Sequence, residues 1–199
     1  MVREKKDSHK IDIQFLFNIL GLASVVFILI VAFYLQFVRG ELPCPLCLLQ
    51  RAGFALIGVG LLMNIRYGIS LSHYAMSILG ALAAAGTALR QIALHVNDDG
   101  FGQVFINNWH YYTWSFVLAV IAMIAICLVM MLPCFEDRRH ISKRMLRVGA
   151  VVASIFFLVV LLNFVFTIFQ CKLGLCPPDS KHYELFSSVG KNFLVKILA

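Results

Sequence analysis

Apolar residues in this chain gather into long runs broken by short polar stretches. Five such runs are apparent: Phe15–Val38, Leu48–Ile65, His73–Val96, Tyr112–Leu132 and Val148–Phe169. A helix needs roughly 20 consecutive apolar residues to cross the hydrocarbon core of a bilayer, and each run approaches or exceeds that length. Water is absent from that core, so each span must satisfy its own backbone groups, which predicts helices throughout. The pattern predicts an all-α membrane protein with one domain over residues 1–199. Its parts are a four-helix transmembrane bundle, a fifth transmembrane helix and an outer tail from 170 to 199. The connections are short, which predicts antiparallel packing of successive helices. Gly80, Ala81, Ala83, Ala84, Ala85, Gly86 and Ala88 crowd the third run, and small residues let helix backbones approach closely in lipid. Leu185, Phe186, Val189, Phe193 and Ile197 recur at helical intervals in the tail, as expected of a helix lying in the membrane surface. The first run is too long for a signal peptide, and no small-residue cleavage site precedes the cysteines, so it is read as retained.

Composition agrees. The chain is 61% hydrophobic and only 14% charged, which excludes an ordinary soluble domain. The net charge of +7 is topological and does not imply a nucleic-acid partner. Arg3, Lys5, Lys6 and Lys10 precede the first run, and Arg138, Arg139, Lys143, Arg144 and Arg147 fill the fourth connection. The third connection, Asn97 to Tyr111, holds Asp98 and Asp99 and no Lys or Arg. Positive charge favours the cytoplasmic side. The N-terminus is therefore expected inside, with Cys44, Cys47 and the C-terminal tail outside.

That topology sorts the six cysteines. Cys44, Cys47, Cys171 and Cys176 fall on the outer face, where disulfides persist. Cys127 lies inside the fourth run and is expected to be a buried, structural thiol. Cys134 lies just past the cytoplasmic end of that run and is expected to stay reduced.

Cys44-Pro45-Leu46-Cys47 opens the second run, with Arg51 one helical turn beyond the second cysteine. A helix N-terminus and a nearby Arg both favour thiolate. A dithiol that becomes a disulfide gives up two electrons, and no side chain here stores two. Among the described motif types, no G-x-G-x-x-G, no Walker loop and no four-coordinate metal spacing accompanies the pair. No metal site is expected, and a membrane quinone becomes the natural acceptor by elimination and by location. Cys47 lies nearer the helix interior and is assigned the contact with the acceptor, while Cys44 exchanges with other thiols. Arg51 reads either as a donor to a quinone oxygen or as a side chain snorkelling to the headgroups. Arg90, at the same outer level of the third run, reads either as a weaker quinone contact or as a side chain that snorkels or pairs with Gln50. Cys171 and Cys176, five residues apart, read either as a second redox pair relaying electrons to the first or as a staple closing the turn before Pro177. His95, Trp109, Tyr111, Tyr112 and Trp114 read as interfacial groups.

The stretch Leu42-Pro43-Cys44-Pro45-Leu46-Cys47-Leu48-Leu49-Gln50-Arg51-Ala52-Gly53 resembles the DsbB family of bacterial inner-membrane disulfide-generating proteins. Ala88-Leu89-Arg90-Gln91 and Trp114-Ser115 also look like that family, and the resemblance covers roughly residues 15 to 132. It implies a four-helix bundle that binds ubiquinone or menaquinone and reoxidises a periplasmic thioredoxin-fold oxidase of the DsbA type. Cys44 and Cys47 would be the quinone-linked pair and Arg51 the quinone-contacting arginine. The family carries its substrate-facing cysteines between helices three and four, where this chain has none. Either Cys171 and Cys176 replace that pair, or the chain serves another substrate or needs a second protein. Two other readings remain: a non-catalytic module stapled by its outer disulfides, and a quinol-driven reductase resembling the vitamin K epoxide reductase group in chemistry.

Overall fold

The computed structural model describes residues 2–38, 43–96, 104–106, 109–132 and 143–171. Among the described residues, five helices are long and apolar enough to cross a membrane: α1 (Val2–Val38), α2 (Pro45–Tyr67), α3 (Leu71–Leu94), α4 (Tyr111–Met130) and α5 (Lys143–Cys171). The chain is a multi-pass, all-α membrane protein. The apolar part of α1 begins at Ile13, close to the expected start of the first span. Cys134, Cys176, Asp98, Asp99 and the surface helix expected in the tail lie outside the described residues.

The third connection holds a feature that the hydropathy pattern does not predict. Strands β1 (Val104–Ile106) and β2 (Trp109–His110) pair antiparallel, with Val104 opposite His110. They lead directly into α4.

Helix α2 is the hub of the bundle, packing against α1, α3, α4 and α5. Its tightest crossing is with α3, where Gly53 meets the backbone of Ala84 and Gly80 meets the backbone of Ile57. A Cβ on Gly53 would lie 2.7 Å from the Ala84 nitrogen, and one on Gly80 would lie 2.6 Å from the Ile57 nitrogen. These distances leave no room for a side chain, so Gly80 and Ala84 of α3 serve close packing, whereas a Cβ on Gly86 would meet nothing.

The position of α5 departs from the expected order. It packs chiefly against α1, with further contact to α2, rather than against α4, its neighbour in sequence. Side-chain shape explains the choice. The Phe156 ring occupies the space beside Gly58 of α2, and Gly149 sits over Ile65, Ile19 and Phe15. Farther along, Phe166 meets Phe33 and Phe37 edge-on, with ring centroids 5.8 and 4.9 Å apart. Such aromatic pairs add specificity to area burial.

At the opposite end of the bundle from Cys44, a buried polar network ties three helices together. Asn18 donates to the Tyr74 hydroxyl at 2.8 Å, and Asn64 donates to Asn18 Oδ1 at 3.0 Å. Asn64 Oδ1 in turn accepts from the Ser70 amide at 3.0 Å. Buried amides in a bilayer must find such partners, and here they link α1, α2 and the start of α3. Large apolar side chains such as Phe27, Leu128 and Phe157 point outward instead, as lipid-facing surface requires.

Candidate functional site

The odd-numbered helices run in one direction and the even-numbered helices in the other. The C-terminal ends of α1, α3 and α5 therefore gather around the start of α2, where the cysteine motif lies. Cys44 is the N-cap of α2, with φ −66° and ψ 161°, and Pro45 follows at the first helical position. Proline suits that position because its fixed φ is helical and its missing N–H would have no helical partner there. The Cys44 carbonyl accepts the first helical bond from the Leu48 amide at 3.1 Å, and its sulfur accepts from the Cys47 amide at 3.2 Å. Cys44 and Cys47 are joined as a disulfide. The two sulfurs thus sit on the exposed N–H end of a long helix, whose partial positive charge stabilises an anion formed there.

A second element completes the site. Gln91, near the end of α3, directs its Nε2 at both sulfurs, 3.4 Å from Cys44 Sγ and 3.6 Å from Cys47 Sγ. Its orientation is fixed by Gln50 of α2, whose Nε2 donates to Gln91 Oε1 at 2.7 Å. Both amides are buried, 4% and 3% exposed, so the pair is shielded from water and held firmly. Gln91 Oε1 also lies 3.8 Å from Cys47 Sγ. The same amide can therefore donate to a thiolate and accept from a thiol.

In the sequence, Gln91 stands out only within a family-like stretch, and Gln50 is a candidate partner of Arg90. The structure pairs Gln50 with Gln91 instead. Arg90 is exposed and makes no hydrogen bond or ion pair among the described residues. Successive helical residues point about 100° apart, so Arg90 and Gln91 cannot both face the ring. One signal for the pair was available: two amides at the outer ends of apolar helices need partners in a bilayer.

Arg51 lies one turn deeper than Cys47 and reaches toward α1. Its Nη1 donates to Gln36 Oε1 at 2.8 Å, its Nη2 donates to the Ala32 carbonyl at 3.0 Å, and its guanidinium lies 5.9 Å from the Phe33 ring centroid. It is half-buried and anchored to a neighbouring helix, which is not the posture of a snorkelling side chain. His95 caps α3, with its Nδ1 2.9 Å from the Gln91 carbonyl. Trp109 and Trp114 pack with ring centroids 5.7 Å apart, and His110 stacks on Tyr112 at 5.0 Å.

Cys171 is the last residue of α5. It is buried and disulfide-bonded to a partner outside the described residues. Gln170 beside it is fully buried, and its Nε2 donates to the Pro43 carbonyl at 2.7 Å. The end of α5 is thereby fastened to the residue preceding Cys44. Cys127 differs from its expected place: it is a free thiol on the exposed face of α4. α4 packs chiefly on α3, which leaves that face to lipid.

Residues 14–104 match the family model described as Disulfide bond formation protein DsbB. Disulfide bond formation protein B of Burkholderia pseudomallei strain 1106a is 40% identical over 72 residues, covering 33% of this chain and 41% of that protein. The protein of the same name from Burkholderia thailandensis is 40% identical over 85 residues, covering 40% of this chain and 48% of that protein. Disulfide bond formation protein B 1 of Pseudomonas savastanoi pv. phaseolicola is 39% identical over 74 residues, covering 34% and 43%. The chain thus spans less than half the length of these curated relatives. No solved structure matches it significantly. The family match ends before α4 and α5, so Trp114-Ser115 and Cys171 lie beyond it. The matched region takes in most of α1, all of α2 and α3, and the cysteine ring with its glutamine clasp, and over that region this chain is similar to the DsbB family.

Proposed function

We propose that this protein is a quinone-dependent membrane thiol oxidase. It generates disulfides and reoxidises a periplasmic thioredoxin-fold dithiol oxidase of the DsbA type. The observation that carries this reading is the Cys44–Cys47 disulfide on the N-terminus of α2, with the Gln91 amide on both sulfurs. A structural staple needs no buried donor aimed at its sulfurs. Reduction of the ring makes thiolate, and the helix N-terminus together with Gln91 stabilises that product.

The residues fit a quinone as acceptor. A flat carbonyl-bearing ring needs N–H donors and an apolar approach from lipid. Arg51, held by Gln36 and the Ala32 carbonyl one turn below Cys47, supplies a fork of N–H groups at this depth. Leu49 and Leu89 are both half-exposed on the helices that carry the ring and Gln91. A quinone bound there supplies a two-electron, two-proton acceptor, as ubiquinone or menaquinone does. Arg51 orients its carbonyl oxygen, Cys47 faces it, and Cys44 exchanges with incoming thiols. Arg90 is a weaker candidate at the headgroup level. Cys171 and Cys176 form the second redox pair, receiving electrons from the soluble partner and passing them to the ring. The charge bias of the N-terminus and fourth connection supports a bacterial inner-membrane orientation with the N-terminus cytoplasmic and the ring and tail periplasmic.

The test is anaerobic turnover of the purified protein in detergent with ubiquinone-1 and a reduced thioredoxin-fold dithiol protein. Quinol formation is expected to match disulfide formation one for one. Cys44→Ser and Cys47→Ser are each expected to abolish it. Full quinone reduction by both variants would refute the proposal. Net reduction of the partner by quinol would reverse the assigned direction.

A further inference from the structure

Helix α5 lies outside the family match, yet its end is fastened to the site. Two contacts hold it. The Phe166 ring packs edge-on against both Phe33 and Phe37 of α1, and Phe33 also lies beneath the Arg51 guanidinium. Beyond that, Gln170 donates to the Pro43 carbonyl at 2.7 Å. The aromatic contact sets how α5 lies along α1. The amide sets where its last turn meets the segment entering the ring.

Gln170 is a poor residue for packing alone. It is fully buried, and its Oε1 has no hydrogen-bond partner among the described residues. A buried acceptor without a partner destabilises a fold, and an apolar side chain of the same size would avoid that cost. What the amide provides is a directional tie between residues adjacent to Cys171 and Cys44. We propose that Gln170 is a positioning residue that holds Cys171 beside the ring for disulfide exchange with Cys44. This inference rests on the thiol-oxidase reading above.

The exchange balances as follows. A substrate dithiol first reduces the disulfide carried by Cys171 and is itself oxidised. The Cys171 thiolate attacks Cys44 Sγ, a Cys171–Cys44 bond forms, the Cys44–Cys47 bond breaks, and Cys47 leaves as thiolate. The former partner of Cys171 then attacks Cys171, restores that disulfide and releases Cys44. Two electrons have moved to the ring, which passes them with two protons to the quinone acceptor.

The test uses the full chain in detergent. Cys47→Ser leaves Cys44 as a single thiol that exchanges with the Cys171 disulfide, and alkylation of the partner thiol released in that exchange traps the Cys44–Cys171 bond. After alkylation, non-reducing peptide mass mapping is expected to find the Cys44–Cys171 peptide. Gln170→Met added to Cys47→Ser keeps the volume and removes the donor, and is expected to cut that peptide about tenfold or more. With all cysteines present, Gln170→Met is expected to slow quinone reduction driven by the protein dithiol by about the same factor. Quinone reduction driven by dithiothreitol acting on the ring is expected to be unchanged. Gln170→Leu, which also lacks the donor toward Pro43, is expected to behave alike and serves if the Met variant fails to fold.

Equal Cys44–Cys171 yield with and without Gln170 would overturn the proposal. So would absence of the peptide in Cys47→Ser, or equal slowing of the dithiothreitol and protein reactions. Failure of dithiothreitol to drive quinone reduction in the wild type would instead sink the thiol-oxidase reading, while the cross-link yields still decide the role of Gln170.

Discussion

Replacing Gln91 with Leu removes the amide that serves both sulfurs, and its effect on the ring can be worked from the structure. Gln91 Nε2 lies 3.4 and 3.6 Å from Cys44 and Cys47 Sγ. A hydrogen bond to a charged group contributes about 1.5–3 kcal/mol, and one between neutral groups about 0.5–1.5 kcal/mol. The oxidised ring presents neutral sulfurs and the reduced ring a thiolate. The amide therefore favours the reduced state by the difference, about 1–2 kcal/mol. For a two-electron couple, 30 mV corresponds to about 1.4 kcal/mol, so loss of the amide should make the ring more reducing by about 20–45 mV.

The cost to the fold should be smaller. Interhelical hydrogen bonds within membranes average about 0.6 kcal/mol. Leaving Gln50 Nε2 without its acceptor adds to that cost, so Gln50→Leu with Gln91→Leu is the cleaner variant. It should show the same shift in potential with a thermal midpoint closer to wild type. The assay is equilibration of the full chain with dithiothreitol redox buffers, read by alkylation of Cys44 and Cys47. A potential unchanged within error in a folded variant would refute the argument, as would a shift toward a more oxidising ring.

Three other outcomes follow. Arg51→Met should raise the KM for ubiquinone-1 about tenfold through loss of a charge-assisted donor, while labelling of Cys44 by a soluble maleimide after reduction stays unchanged; an unchanged KM would leave Arg51 as a tie between α2 and α1 alone. Gly80→Val should destabilise the bundle by about 1–3 kcal/mol, because its Cβ would lie 2.6 Å from the Ile57 nitrogen; thermal unfolding in detergent measures this, and Gly86→Val, where a Cβ meets nothing within 4 Å, serves as the control. Asn18→Leu and Asn64→Leu should couple in a double-mutant cycle by about 0.6–1.7 kcal/mol, since Asn64 donates to Asn18 at 3.0 Å; additive losses would show that the bond contributes nothing.

The parts of this fold legible in the sequence are those that depend on local pattern. Run length marks the five spans because each helix must satisfy the bilayer independently. Cys44, Cys47 and Arg51 stand out because their spacing sits on one helix end. Gln91 does not, because its role depends on where α3 lies against α2. That register is set by the contacts of Gly53 and Gly80 with opposing backbones, over a sequence separation that no local pattern reports. The docking of α5 on α1 is hidden for the same reason. Phe156 and Phe166 look like any lipid-facing aromatics until Gly58 and Phe33 are found opposite them. The exposed position of Cys127 is hidden in the sequence because hydrophobic character does not say which side of a membrane helix faces protein.

The position of Cys171 also bears on how exchange would proceed. Cysteines on a long loop reach a ring by diffusion of the loop, at an effective concentration set by its length. A cysteine on the last turn of a helix pinned by Phe166 and Gln170 begins near its target and loses little entropy on approach. Its difficulty is the opposite one. A pinned turn must still let the two sulfurs meet, and helix ends are where local opening is least costly. A residue that ties the turn through one side-chain bond, while leaving its own second polar atom unsatisfied, suits that demand better than tight apolar packing would. On this argument the strength of the Gln170 tie is a compromise: weaker, and Cys171 drifts from the ring; stronger, and the turn cannot open to let the sulfurs meet.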